Sequence, residues 1–188
     1  MNIPQFKPEV GKLLLAEPFM LEPIFRRSTI LLCEHNEKGS LGFIINKELK
    51  VPVEDLISGF PEFKANVFYG GPVQTDTIHY LHTAGDLLDG SIEVSPGIYW
   101  GGDFEKLKFL ITNKLIKSHQ IRFFLGYSGW TTGQLQSELK SGSWMTTEMD
   151  KNYLFYRAPF KLWEKVLKDH GGPKAVIADI ISVQAYLN

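Results

Sequence analysis

The chain has 188 residues, enough for one large domain, and its 44% hydrophobic and 22% charged residues fit a folded chain rather than a disordered one. Lysine and arginine number 20 against 21 acidic residues, so the formal charge of −1 provides no overall electrostatic footprint for DNA. No apolar run reaches the roughly 18 residues of a membrane-spanning helix, and a single cysteine, Cys33, excludes an internal disulfide.

Residues 1–10 carry two prolines and little periodicity and read as an N-terminal arm. The segment has no signal-peptide pattern, because the apolar run at 13–16 is stopped at once by Glu17 and Pro18. Residues 12–16 read as a short strand and 19–27 as a loop around Pro23. The apolar runs 28–34 and 41–46 flank the turn-rich His35-Asn36-Glu37-Lys38-Gly39, which predicts a β-hairpin. Both runs are almost wholly apolar, as expected of strands covered on both faces. A short helix is predicted over 53–58, stopped by Gly59 and Pro61. Strands follow at 67–69, running into Gly70-Gly71-Pro72, and at 78–83. Residues 86–90 read as a turn, and 91–100 as short strands broken at Pro96-Gly97. Asp103 is a suitable N-cap for a helix over 104–116, whose stripe is Phe104, Leu107, Leu110, Ile111 and Leu115.

Residues 121–127 have the pattern of a buried strand. Thr131 and Gln134 have capping-box spacing, which opens a helix to about residue 140, with Gly142 where a C-terminal cap belongs. Residues 144–147 and 153–156 look extended, and 160–170 reads as a helix ended by Gly171-Gly172-Pro173. The tail, 174–188, is ambiguous between strand and helix. There is no repeat, linker or low-complexity segment, so 1–188 is expected to be a single domain.

Several blocks taken in order carry a resemblance. They are GKLLLAEP at 11–18, FRRSTILLCEHN at 25–36, GSLGFIIN at 39–46, YGGPV at 69–73, YLH at 80–82 and GYSGWTTGQLQSE at 126–138, followed by Trp144. Their order and spacing, from residue 11 to about 170, resemble the AlgH/YqgE family. Two parts depart from it: Tyr99-Trp100-Gly101-Gly102-Asp103 stands where members often carry a serine-rich stretch, and the tail after Gly172 is atypical of shorter members. The resemblance implies an α+β fold, with a mixed, partly barrel-like β-sheet surrounded by helices. It also implies a cytoplasmic protein, sometimes described as a transcriptional regulator, and the lone thiol fits a reducing compartment. It implies no catalytic residue and no cofactor.

Four features could carry chemistry. Gly126-Tyr127-Ser128-Gly129-Trp130, placed between a strand and a capped helix, would turn free N–H groups and a positive dipole end toward an anion. A nucleophile elbow would need glycine where Trp130 stands; the alternative is a tight turn with Trp130 as packing anchor. Cys33 and His35 share a strand face about 6.6 Å apart, too far for a direct hydrogen bond without a bend. Here the alternative is a buried thiol beside a hairpin shoulder tied down by Glu34, His35 and Asn36. Gly70-Gly71-Pro72-Val73, with Asp76 beyond, permits close backbone approach but lacks the ending of a phosphate loop, and reads as a structural turn. His79 and His82 have a spacing that chelates on a helix; on a strand their rings point to opposite faces, so no metal site is expected. Arg26-Arg27 is too short for a nucleic-acid patch, and Asp86, Asp89 and Glu93 read as a solvated face.

Two functional readings result. In one, the chain is a non-enzymatic regulatory protein that binds a protein or small-molecule partner, with Glu34, His35, Gly70, Gly71, Ser128, Trp130 and Gln134 as candidate binding residues. In the other, it is an enzyme with a small pocket of Glu34, His35 and Ser128, which requires those groups within hydrogen-bond reach through at most one water. Direct DNA binding would require lysines and arginines collected on one face and is not expected; nor is a membrane or a cofactor.

Overall fold

The computed structural model describes residues 7–171, 175–177 and 179–181. Strand β1 (Leu13–Ala16) is followed by the predicted hairpin, β2 (Thr29–Asn36) and β3 (Gly39–Ile44), which pair from Ile30 opposite Ile44 to Asn36 opposite Gly39. Next come β4 (Glu48–Pro52), helix α1 (Val53–Leu56), β5 (Asn66–Tyr69) and the long β6 (Val73–His82). A second hairpin, β7 (Ile92–Ser95) and β8 (Ile98–Trp100), turns at Pro96-Gly97 as expected. Helix α2 (Phe104–Thr112), β9 (Ile121–Thr131), α3 (Gln134–Lys140), β10 (Trp144–Thr147), α4 (Lys151–Leu154) and α5 (Leu162–His170) complete the order. Residues 1–6 of the arm and most of the tail lie outside the described residues; 175–177 and 179–181 are helical.

The described strands form one mixed sheet of order β10-β1-β2-β3-β9-β6-β8-β7, with β5 on β9 and β4 on β5. Every pairing is antiparallel except β5 with β9. Successive side chains of β1 to β3 belong to different cores, one on each face of the sheet. Leu13, Leu15, Leu31, Cys33 and Phe43 face Leu162, Trp163, Val166 and Leu167 of α5. Leu14, Ala16, Ile30, Leu32 and Ile44 face Leu135 and Leu139 of α3, with Trp130 and Trp144. A third core sets Leu107, Leu110 and Ile111 of α2 against Val67, Tyr80 and Phe123. The strands are thus covered on both faces, which explains their unbroken apolar runs.

The α+β class expected from the sequence is what the chain adopts, but the sheet is not closed into a barrel. Its end strands β10 and β7 do not pair with each other. The first core nevertheless takes in Leu81, Val94 and Ile98 from the β6-β8-β7 end, together with Leu154 and residues of α5. Trp163 is fully buried there, and its Nε1 donates to Ala16 O at 3.0 Å.

Several boundaries differ from expectation. Helix α2 is capped by Asp103, whose Oδ1 accepts from Lys106 N at 2.7 Å. It ends at Thr112 rather than 116, so Leu115 is exposed and Ile116 is the buried residue. Residues 153–156 are not extended: Asp150 accepts from Asn152 N and starts the short α4. Strand β4 went unpredicted. It is exposed over Glu48, Leu49 and Lys50, interrupted by an irregularity, and Lys50 has φ of 54°. The largest difference is β9, which continues as strand through the stretch read as a turn.

His82 lies on β6 with no exposed surface. Its Nδ1 accepts from Ala84 N at 3.2 Å, so Nε2 carries the proton and donates to Gly101 O at 2.8 Å. Burial holds its pKa below the ordinary value of 6.5, and the same holds for half-buried His79. In acid the unfolded chain therefore takes up protons that the folded chain refuses, and stability falls as pH drops below about 6.5. Denaturant titrations at pH 7.5 and pH 5 are expected to show this loss, and His82→Gln is expected to lose less between the two. An identical acid loss in wild type and variant would contradict the assignment.

Candidate functional site

Strand β9 pairs along one edge with β6, from Val73 opposite Tyr127 to His82 opposite Ile121. Its other edge carries two strands in succession. Residues Phe123 to Leu125 pair with β5 in parallel, and Ser128 to Thr131 pair with β3 in antiparallel. At the changeover Gly70 N donates to Leu125 O at 2.9 Å, while Gly70 O accepts from Ile44 N at 3.0 Å and from Ser128 Oγ at 3.1 Å. The backbones touch here. A methyl group on Gly70 would lie 2.3 Å from Gly126 O, one on Gly71 2.2 Å from Tyr127 C, and one on Gly126 2.5 Å from Gly71 O. Gly126 also has φ of 65°, a left-handed conformation that costs any other residue energy.

Because β9 runs on past Gly126, Trp130 is delivered to the face that α3 covers. There it meets Trp144 at the start of β10, edge to face, with ring centroids 6.0 Å apart. Both indole Nε1 atoms donate to one carboxylate oxygen, Glu138 Oε2, each at 2.8 Å. The other oxygen, Oε1, accepts from Gln134 Nε2 at 2.9 Å, and Gln134 Oε1 in turn accepts from Thr131 N at 3.0 Å. One acid thus joins β9, α3 and β10. Charge-assisted bonds of this kind are stronger than neutral ones.

This cluster floors a cleft of about 440 Å³. The opposite wall is the loop after β1, with Glu17, Met20, Leu21, Glu22 and Phe25. Phe25 stacks edge-on against Trp144 at 5.6 Å. Leu21 is 88% exposed and Phe19, two residues before it, 72% exposed. The arrangement combines an aromatic floor, exposed apolar side chains on the loop, and the carboxylates of Glu17 and Glu22 on the wall opposite Glu138.

The AlgH-like family profile matches residues 13–175. The chain belongs to this family. Relatives of the AlgH-like chain include a UPF0301 protein of Chlorobaculum tepidum, 47% identical over 169 residues that cover 90% of each protein. Another, from Cytophaga hutchinsonii, is 38% identical over 170 residues, 90% of this chain and 93% of that one. The solution structure of the AlgH protein of Pseudomonas aeruginosa matches with a TM-score of 0.72 at 26% identity, over 93% of this chain and 96% of that one. A crystal structure from Corynebacterium diphtheriae shares the fold, with a TM-score of 0.77 at 22% identity and 92% coverage of both chains. The ordered blocks read from the sequence therefore carried a true family signal.

In this AlgH-like chain, Trp130 and Gln134 come together in the cleft. Glu138, Trp144 and Phe25, which sequence reasoning did not place in a site, join them there. Gly126–Trp130 is not a strand-turn-helix junction, because its last three residues are held in the sheet by β3. The helix that follows, α3, has only seven residues and starts at Gln134 after Gly133, four residues beyond Trp130. The capping box is half formed. Gln134 reaches back to Thr131 N, but the Thr131 hydroxyl lies 3.3 Å from Gln134 Oε1 and caps no backbone N–H. Glu34 and Trp130 border a separate, shallower depression. Glu34 is exposed and its Oε1 accepts from Asn36 Nδ2 at 2.7 Å, while His35 Nδ1 lies 2.8 Å from Ser40 Oγ. Ser128 is fully buried with its hydroxyl spent on Gly70 O, so it forms no pocket with Glu34 and His35. Gly70 and Gly71 serve the backbone junction. Cys33 is buried, and desolvation pushes its thiol pKa up.

Trp130→Ala is expected to lower the unfolding free energy by about 3–5 kcal/mol, the cost of removing a large aromatic from a core. Thr131→Ala is expected to cost less than about 1 kcal/mol, below a normal cap deletion. Urea denaturation of the two variants checks this; equal losses, or a wild-type midpoint for Trp130→Ala, would contradict the packing described.

Proposed function

We propose that this AlgH-like chain is a non-enzymatic regulatory protein of the cytoplasm, and that it acts by binding a protein partner in the cleft between the 17–25 loop and the Trp130–Trp144 floor. The observation that carries this reading is the exposed Leu21 on the wall of a cleft whose floor holds two tryptophans locked by Glu138. Interfaces concentrate their energy in rigid aromatic anchors surrounded by a polar rim. Here the apolar groups open to a partner are Phe19 and Leu21, and the tryptophan floor beside the loop is immobilised before anything binds, which lowers the ordering cost of association. The rim acids Glu17 and Glu22 favour a partner segment that presents a lysine or arginine beside apolar side chains. An effect on transcription, which the family resemblance implies, would then pass through the bound partner rather than through duplex DNA, in keeping with the net charge of −1.

A photo-crosslinking side chain at position 21, expressed in the native host, is expected to trap one defined protein, while the same probe at exposed Glu105 does not. That protein, purified, is expected to bind wild type at least tenfold more tightly than Leu21→Asp, with the thermal midpoint of the variant unchanged. Equal trapping at both positions, or equal affinity for both chains, would refute the reading.

A further inference from the structure

The fold collects a group of cations that no run in the sequence announces. Arg122 projects from β9 beside the end of β4, in a recess of about 190 Å³ that Arg157 also lines. Its guanidinium lies over the Phe68 ring, with Cζ 4.0 Å from the centroid, and 5.7 Å from the centroid of Phe155. Nη1 donates to Ile45 O at 3.1 Å. Among the described residues this carbonyl is its one hydrogen-bond acceptor, and no carboxylate forms an ion pair with it. Two aromatic rings therefore hold the plane of a guanidinium whose other N–H groups have no protein acceptor. Burial draws its pKa down to about 10, so the group stays charged at neutral pH. A half-buried, unpaired charge is costly, and an incoming anion offsets that cost.

A second cavity of about 470 Å³ adjoins the recess, and the two share Glu48 and Pro159 in their walls. Arg26, Arg27, Lys47 and Lys50 line the second cavity. Together the two hold six cations against one acid, Glu48, in a chain whose net charge is −1. Glu48, which also accepts from Asn66 Nδ2 at 2.8 Å, is the one counter-charge; its field acts on Arg122 against the effect of burial, and it offsets one of the six cations. Arg27 is partly offset by Glu164, 3.9 Å away at the edge of ion-pair range. Phe160 stands on the wall with 74% of its surface exposed, an apolar face beside the cations.

We propose that the recess at Arg122 binds the phosphate group of a small phosphorylated molecule, and that the adjoining basic cavity holds the rest of it. A guanidinium fork matches two phosphate oxygens at once, which a lone lysine does not. The excess of cations favours a multiply charged anion over a single carboxylate. The recess is too narrow for a duplex and suits a terminal group.

Inorganic pyrophosphate is the probe, titrated by calorimetry against sodium chloride of matched ionic strength. Wild type is expected to bind it, with an affinity at least tenfold above that of Arg157→Glu, whose exposed side chain leaves the fold intact. Arg122→Lys keeps the charge, loses the fork, and is expected to weaken binding similarly; should it fail to fold, Arg157→Glu alone decides. Pyrophosphate that binds no better than chloride, or equally well to Arg157→Glu, would overturn the proposal. So would a single-stranded oligonucleotide that binds where pyrophosphate does not, since that outcome marks a polyanion surface instead.

Discussion

The backbone contact among Gly70, Gly71 and Gly126 is the constraint on which the rest of the structure depends. One edge of β9 carries two strands that run in opposite directions, β5 first and β3 after it. Such a changeover ordinarily leaves unpaired backbone groups in the interior, each of which costs free energy comparable to a lost hydrogen bond. Here the carbonyl of Gly70 accepts from both Ile44 N and the Ser128 hydroxyl. Two chain segments, 70–73 and 126–128, approach within distances that no Cβ would allow. The glycines thus keep the sheet continuous across the change of partner, and β9 continues for 11 residues instead of stopping at Gly126.

The consequences run outward from that continuity. Past Gly126 the strand is held by β3, and it carries Trp130 to the face where α3 packs. The carboxylate of Glu138 then binds the indoles of Trp130 and Trp144, which come from different strands. Removing that acid would leave two largely buried N–H donors without a partner, a penalty of about 1–3 kcal/mol for each. The cleft above them inherits its rigidity from this bond pattern. At the other end of β9, Arg122 is held between aromatic rings by the same strand, so both candidate sites are anchored on one element.

Much of the fold was legible in the sequence because it is written in local pattern. The β2–β3 hairpin shows as two apolar runs around a polar turn, and Asp103 announces α2. What escaped depends on contacts between distant segments. Residues 126–130 carry two glycines and a serine, which read as a turn when judged alone; pairing with β3 makes them strand. Strand β4 has neither apolar alternation nor burial to mark it. Tyr153 to Tyr156 has strand-forming composition, but the Asp150 cap starts a helix that takes in Tyr153 and Leu154, and Phe155 closes it. In the candidate site, Trp130 and Gln134 stood out through their position by the α3 cap. Glu138 is one helical turn beyond Gln134 and resembles any surface acid of a short helix, and Trp144 and Phe25 enter the cleft through the sheet. The basic recess and the cavity beside it were invisible for the same reason, since their six cations are drawn from four separate stretches of chain.

The most direct test of the junction compares two glycines that share a left-handed conformation but differ in space. Gly126 has φ of 65° and Gly133 φ of 76°; a side chain on Gly133 meets nothing within 4 Å, whereas one on Gly126 meets Gly71 O at 2.5 Å and Val73 O at 2.8 Å. Alanine at either position carries a similar conformational cost, about 1–2 kcal/mol. Urea unfolding of Gly126→Ala and Gly133→Ala therefore isolates the backbone contact. The account predicts that Gly133→Ala loses only that conformational cost, while Gly126→Ala loses several times more or fails to fold. Equal losses in the two variants would contradict it.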